Sequence, residues 1–500
     1  MQLAIQVDPG AATGLQRQVV EQIRGLILDG RLAPGTRMPA SRVLAEDLGV
    51  SRNTVLGAFA RLAAEGLLEA REPVGTFVAP HPWLQVVPSA DSAAQPNSAL
   101  DRCRSLRLSR RLKARTSPHR VQAPHGDTLD FDFWVGRPDA ALFPLRIWRS
   151  LLSRMLQASS RQLSEYGDPQ GLLSLRMAIA EHLGATRAIA TDASRIVVTN
   201  GIQEGLNLVA RLLVEPGVQV AVENPCYRGA SQVFAQQGAD LYPVPVDRSG
   251  LDPASLPATA ALAYVTPSHQ YPLGSSLTLE RRTALLEWAD TCQSYIVEDD
   301  YDSDFHYDGS PLPALKSLDR NDQVIYLGTF SKSLGAGLRI GYMVLPAELC
   351  GPVRDAKALL NNCQPWLEQA ALAAFLAEGD YAECLRRQRQ AYAARRNHLC
   401  AGLCHLLPSW QVEGSGGGMH VVVYLPERGP DAEAVEALAR EHGIGVYSIE
   451  NGNARLFESE AGDPLRRVLL FGYASLSEAD ISAALLRLHR IVESGFAPGN

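Results

Sequence analysis

No apolar run in this 500-residue chain is long enough to cross a membrane, and its first residues lack the basic-then-apolar pattern of a secretory signal. A cytoplasmic protein with no membrane partner is therefore expected. Metal-type cysteine pairs are missing as well. The eight cysteines are scattered, and Cys400 and Cys404 stand four apart with no second pair, which reads as two turns of one helix. Free thiols in a reducing compartment fit better than a disulfide framework, and no metal site is expected. Net positive charge is also lacking. The chain carries −7, which taken alone argues against a nucleic-acid partner.

The charge is unevenly spread, and that changes the argument. Residues 1–80 hold 8 Arg, no Lys and 8 acidic residues, so they are neutral. Residues 81–126 hold 8 basic residues against 2 Asp, a net +6. With −7 overall, the remainder carries −13. An acidic body, a neutral head and a basic connector suggest parts with separate partners. Five hundred residues also exceed what one core normally organises, so two or more domains are expected.

In the head, Leu15, Val19, Ile23, Leu26 and Ile27 follow the spacing of an amphipathic helix ending near Asp29-Gly30. Ser41 reads as the N-cap of a short helix with Val43, Leu44 and Leu48 inward. Gly49 permits a tight turn. Ser51 reads as the next N-cap, and Val55, Phe59 and Leu62 form the inward stripe of a third helix. Two short strands, 67–71 and 75–79, follow around the turn Glu72-Pro73-Val74-Gly75. Helix, turn, helix and wing suit DNA, because Ser51, Arg52, Asn53 and Thr54 open the third helix outside its apolar stripe. A small protein-interaction domain is the plainer alternative. Residues 81–126 are rich in Pro, Ser, Ala and Arg and read as a flexible basic linker. Its cluster from Arg102 to Arg115 is either a solvated stretch or a strap for phosphates.

From Asp127 the pattern alternates strands with helices, as in an α/β domain. Val324-Ile-Tyr-Leu-Gly-Thr-Phe-Ser-Lys332 is an apolar strand running into Thr329, Ser331 and Lys332, then a glycine-rich turn and Arg339. Lys332 is either a plain loop lysine or the Schiff-base lysine for pyridoxal 5′-phosphate (PLP), with Thr329 and Arg339 on the phosphate. Upstream, Tyr295-Ile-Val-Glu-Asp-Asp-Tyr301 offers Asp299 for the pyridinium nitrogen and Tyr301 for the phenolic oxygen, two residues apart on one side of a strand. Strand, Gly201 and a helix start place the N–H groups of Gly201, Ile202 and Gln203 to hold a phosphate. Tyr227, just past a strand end, is a candidate to stack on the ring. The run Gly414-Ser-Gly-Gly-Gly418 reads as a hinge into a smaller C-terminal subdomain rather than a phosphate cradle.

These segments resemble those of fold-type I aminotransferases. With the head included, the chain resembles the MocR subgroup of GntR-type transcription regulators over nearly its whole length. The resemblance implies an α/β fold class: a winged helix-turn-helix over 12–80, the linker over 81–126, and a PLP-dependent aminotransferase-like large domain with a small C-terminal subdomain over 127–495. It implies that Arg37, Ser41, Arg42, Ser51, Arg52, Asn53, Thr54 and Gly75 face double-stranded operator DNA. It implies a homodimer that binds PLP through Lys332 and senses PLP or a PLP-reactive amine, with vitamin B6 genes as one expected target.

Two departures bear on activity. Where aminotransferases set an asparagine against the phenolic oxygen, alignment on Pro272 gives Tyr271, with His269 or Gln270 as substitutes. Where the last strand carries the arginine for a substrate carboxylate, this chain has Leu470, with Arg466 and Arg467 out of register. A transcription regulator is therefore expected first. An active PLP-dependent aminotransferase with an appended DNA-binding head is the alternative, and a decayed dimerisation scaffold the third.

Overall fold

The computed structural model describes residues 3–11, 13–71, 73–80, 129–158, 161–308, 312–457 and 462–495. The chain divides into two units, within residues 1–108 and 109–500. The linker expected over 81–126 lies outside the described residues, as do residues 127 and 128.

The first unit holds α1 (Leu15–Leu28), α2 (Ser41–Leu48), α3 (Arg52–Ala64) and the antiparallel pair β1 (Leu68–Arg71) and β2 (Gly75–Val78). Its core gathers Val19, Ile23 and Ile27 of α1, Leu44 of α2, and Val55, Phe59 and Leu62 of α3. Two expectations need correction. Ser41 is the first helical residue, since Ala40 occupies the cap position. Val43 points outward and is 49% exposed, because Leu44 and Ala45 face the neighbouring helices instead. Ser51 does cap α3, accepting from Thr54 N at 3.1 Å. Gly49 ends α2 at φ +63°, a left-handed conformation that glycine adopts without a Cβ penalty.

The second unit is built on one eight-stranded sheet. Its strands are β3 (Ile196–Thr199), β4 (Gln219–Asn224), β5 (Asp240–Asp247), β6 (Gly250–Leu251), β7 (Leu262–Val265), β8 (Tyr295–Asp300), β9 (Val324–Thr329) and β10 (Gly341–Val344). They lie in the order β3-β10-β9-β8-β7-β4-β5-β6. The central pairs are parallel, and β10 runs antiparallel to β3 and β9. Helices cover both faces. Val197, Leu327 and Met343 pack on one side with α5 (Ile202–Leu213), while Val198, Tyr326 and Tyr342 pack on the other with α4 (Leu173–Arg187). Strands buried on both faces read as near-continuous apolar runs, which is why they were visible in the sequence.

Three helices follow the large sheet. These are α6 (Ala347–Asn361), α7 (Trp366–Ala377) and α8 (Asp380–Leu406), interrupted at Pro365 and Gly379. A smaller antiparallel sheet follows: β11 (Gln411–Glu413), β12 (His420–Tyr424), β13 (Tyr447–Ser448) and β14 (Val468–Gly472), in the order β11-β12-β14-β13. The glycine run before β12 packs as a docking loop. Gly418 N donates to Phe305 O at 2.7 Å, and a Cβ on Gly414 would meet Gly274 Cα at 3.1 Å.

Candidate functional site

Three consecutive carboxylates end β8, and strand alternation sorts them. Glu298 and Asp300 face one side. There Glu298 accepts from the backbone N–H groups of Leu315 and Lys316, and Asp300 pairs with Arg187 at 2.8 Å. Asp299 faces the other side. The Tyr264 hydroxyl donates to its Oδ2 at 2.6 Å, while its Oδ1 is buried with no partner among the described residues. Burial pushes the Asp299 carboxyl up to about 7. A buried carboxylate oxygen without a donor is a costly feature unless a ligand supplies one.

Lys332 lies just past the end of β9 on the same side. Its ammonium donates to Gly136 O at 3.3 Å, and a Cβ on Gly136 would sit 2.4 Å from Nζ. Burial lowers the Lys332 pKa, against the opposing pull of Asp302 and Asp299. Burial that disfavours the charged form makes a lysine easier to deprotonate and so a better nucleophile. Tyr301, two residues past Asp299, turns its hydroxyl toward His269 Nδ1 at 3.1 Å. The same His269 nitrogen pairs with Asp302 Oδ2 at 2.9 Å, so it carries the proton.

The phosphate-side residues also converge. Gly201 adopts φ +75°, and the N–H groups of Gly201, Ile202 and Gln203 have no hydrogen-bond partner among the described residues. Arg339 takes a left-handed conformation at φ +53° and donates to Asn200 O at 2.6 Å. A Cβ on Gly201 would come within 2.9 Å of the Arg339 guanidinium, so this cradle needs glycine. Thr329 Oγ1 accepts from Ser331 N at 3.1 Å and sits 3.0 Å from Ser331 Oγ. The Tyr227 hydroxyl lies 3.4 Å from Gln203 Oε1, and its ring meets Tyr271 edge-on at 6.2 Å.

These donors fit PLP: a nucleophilic lysine, an orphaned carboxylate oxygen for a pyridinium N–H, and free backbone N–H groups beside a guanidinium for a phosphate dianion. Two sequence candidates are placed elsewhere. Gln270 is spent on backbone groups, donating to Pro225 O past the end of β4 and to Tyr271 O and accepting from Leu273 N. Tyr271 directs its hydroxyl to Gly452 O. Leu470 is fully buried among Tyr271, Val422 and Ile449, and Arg467 is turned to the carbonyls of Pro426, Gly429 and Pro430. Arg466 is exposed.

Sequence reasoning missed Gly136, Tyr264, Asp302 and His420. Gly136 is 196 residues from Lys332, and the aromatic and imidazole partners sit on other strands. His420, on β12, lies 4.9 Å ring to ring from His269. Its Nε2 donates to Pro272 O, and burial, with the neighbouring His269 imidazole adding to it, pushes its pKa down to about 3.

In the head, Arg37, Arg42, Ser51, Arg52, Asn53 and Gly75 are exposed, and Ser41 and Thr54 half-buried. No core contact employs their side chains. Arg52 Nε reaches Ser41 Oγ at 3.4 Å, and Arg37 lies beside Gly75 of the wing, so α2, α3 and the wing present one polar set.

Two family models match the chain: "Bacterial regulatory proteins, gntR family" over residues 15–78, and "Aminotransferase class I and II" over residues 137–459. The probable rhizopine catabolism regulatory protein MocR of Rhizobium meliloti is 35% identical over 474 residues, covering 94% of this chain and 92% of that protein. The chain belongs to the MocR-type regulators of the GntR family. A second MocR-type relative is the HTH-type pyridoxine biosynthesis transcriptional regulator PdxR of Corynebacterium glutamicum. It is 32% identical over 484 residues, covering 95% of this chain and 98% of that protein. Among solved structures, kynurenine aminotransferase from Pyrococcus horikoshii in complex with PMP matches with a TM-score of 0.70 and 26% identity. That match covers 79% of this chain and 99% of the enzyme. The protein is thus an HTH-type transcription regulator whose body has the class I and II aminotransferase fold, and PLP is the cofactor of that fold.

Proposed function

We propose that this MocR-type regulator reads PLP itself and passes the signal to operator DNA. One observation carries the reading. Donors suited to each part of the cofactor surround Lys332, Asp299 and Arg339, while the strand position expected for a substrate-carboxylate arginine falls on the buried, apolar Leu470. PLP supplies an aldehyde that condenses with an amine, and a ring that absorbs visible light. Lys332 would provide that amine. Asp299 Oδ1 would accept the ring N–H, Tyr301 would donate to the phenolic oxygen, and Tyr227 would cover the ring. Gly201, Ile202, Gln203, Thr329 and Arg339 would hold the phosphate, and His269 would fix Tyr301 rather than touch the cofactor.

The exposed set Arg37, Ser41, Arg42, Ser51, Arg52, Asn53, Thr54 and Gly75 would contact an operator in the major groove and along its backbone. A homodimer is the expected assembly. Leu145, Leu156, Leu173 and Met177 are 50 to 68% exposed and Leu359 is 88% exposed, and they would offer apolar surface to a second copy. Regulation of vitamin B6 genes is the target suggested by the relative named for pyridoxine biosynthesis. An amine effector lacking an α-carboxylate fits the same pocket.

The active aminotransferase reading has the intact cofactor donors in its favour and Leu470 against it. A visible spectrum of the protein with PLP, beside Lys332→Ala, separates a cofactor site from a bare scaffold. A protein-bound band lost in the variant is expected, and no band in either would overturn the cofactor reading. Turnover of an amino donor by the loaded protein would favour the enzyme instead.

A further inference from the structure

The helix that opens the phosphate cradle carries an acid in its first turn. Glu204 is the third residue of α5, and an anion there would oppose a phosphate dianion held by the same helix end. Its carboxylate is already engaged. Oε2 accepts from Asn200 N at 2.5 Å and from Gln364 Nε2 at 3.2 Å. Oε1 accepts from Asn361 Nδ2 at 2.6 Å and lies 3.5 Å from Lys357 Nζ. Lys357 is fully buried in α6 and donates to Asn361 Oδ1 at 3.2 Å. The backbone of Asn200 is therefore gripped at both ends, its N–H by Glu204 and its C=O by Arg339. That residue leads directly into Gly201, Ile202 and Gln203.

We infer that Glu204 and Lys357 are positioning residues for the cofactor's phosphate. Glu204 fixes the turn that aims the three N–H groups. Lys357 cancels the carboxylate's charge so that the turn can be held without repelling a dianion. Neither residue touches the ring-side donors Asp299, Tyr301 or Lys332. The pair therefore sets affinity for the phosphate and leaves aldehyde capture alone. Lysine burial is otherwise costly, and among the described residues Glu204 is the carboxylate that pairs with Lys357.

The inference rests on the PLP reading, and its test keeps the two apart. Binding of PLP and of pyridoxal, which lacks the phosphate, is titrated by absorbance on the full chain. The quantity compared is the preference for PLP over pyridoxal. Lys357→Met, which leaves Glu204 unneutralised, is expected to lower that preference at least tenfold with pyridoxal binding within about threefold of wild type. Equal losses for both ligands, or an unchanged preference, would overturn the inference. Should Lys357→Met fail to fold, Glu204→Gln decides. It keeps the shape and an acceptor for Asn200 N–H while removing the opposing charge, so the preference is expected to hold or rise. A tenfold fall in that variant overturns the inference. If the wild-type chain binds neither ligand, the cofactor reading itself falls and takes this inference with it.

Discussion

Lys332 is one of only four lysines in the chain, with Lys113, Lys316 and Lys357. Lys316 is held between Asp319 and Asp322, and Lys357 is fully buried. Borohydride reduction of the PLP-loaded protein followed by peptide mass analysis is therefore expected to place a single added phosphopyridoxyl group on Lys332. A group on Lys316 instead would contradict the site. His269 makes a prediction of another kind. Burial opposes its charge, but the Asp302 carboxylate outweighs burial and raises its pKa above the ordinary histidine value. A proton bound more tightly in the folded chain stabilises the fold below the unfolded pKa of about 6.5 and loses that effect as pH rises through the folded pKa. The Tm of the cofactor-free protein is expected to fall as pH is raised above about 6.5, and His269→Gln to flatten that slope. Asp299, Tyr301 and Lys332 stood out as candidates because each ends or follows an apolar strand, and Arg339 because it leads into one, where a polar group against an apolar run is easy to see. Tyr264 and Gly136 did not, because a strand-centre tyrosine and a lone glycine have structural readings that the sequence alone cannot displace.

At the scale of elements, α3 depends on its cap. Ser51→Ala removes the acceptor for Thr54 N and is expected to cost the head about 1 kcal/mol, read as a lower Tm. Arg52→Ala touches nothing in the core, so it is expected to weaken operator binding with no change in Tm. Binding that survives Arg52→Ala and Asn53→Ala together would move the interface off this helix. In the body, Leu470 is held by its apolar neighbours. Leu470→Ala is expected to destabilise the fold by about 2–5 kcal/mol, since the side chain is fully buried in an apolar cluster. Leu470 does lie on the last strand, Val468–Gly472, as its sequence pattern suggested. The close packing of the glycine run 414–418 was not visible in the sequence. Glycine marks both hinges and close approaches, and only the neighbouring loops at 269–274 and 302–306 reveal which one is needed.

For the whole molecule, the account links two units that the sequence shows as different in charge and pattern. Linkage needs only that PLP favour one arrangement of the DNA-binding heads over another. A DNA affinity that changes with PLP then implies a PLP affinity that changes with DNA by the same factor. The most direct test is operator binding by cofactor-free protein with and without PLP, on a duplex that the protein itself enriches from random DNA, beside Lys332→Ala. The account predicts that PLP shifts the affinity or the footprint of the wild-type chain, while Lys332→Ala binds the same duplex and does not respond. Identical binding and footprint with and without PLP in the wild-type chain would contradict it.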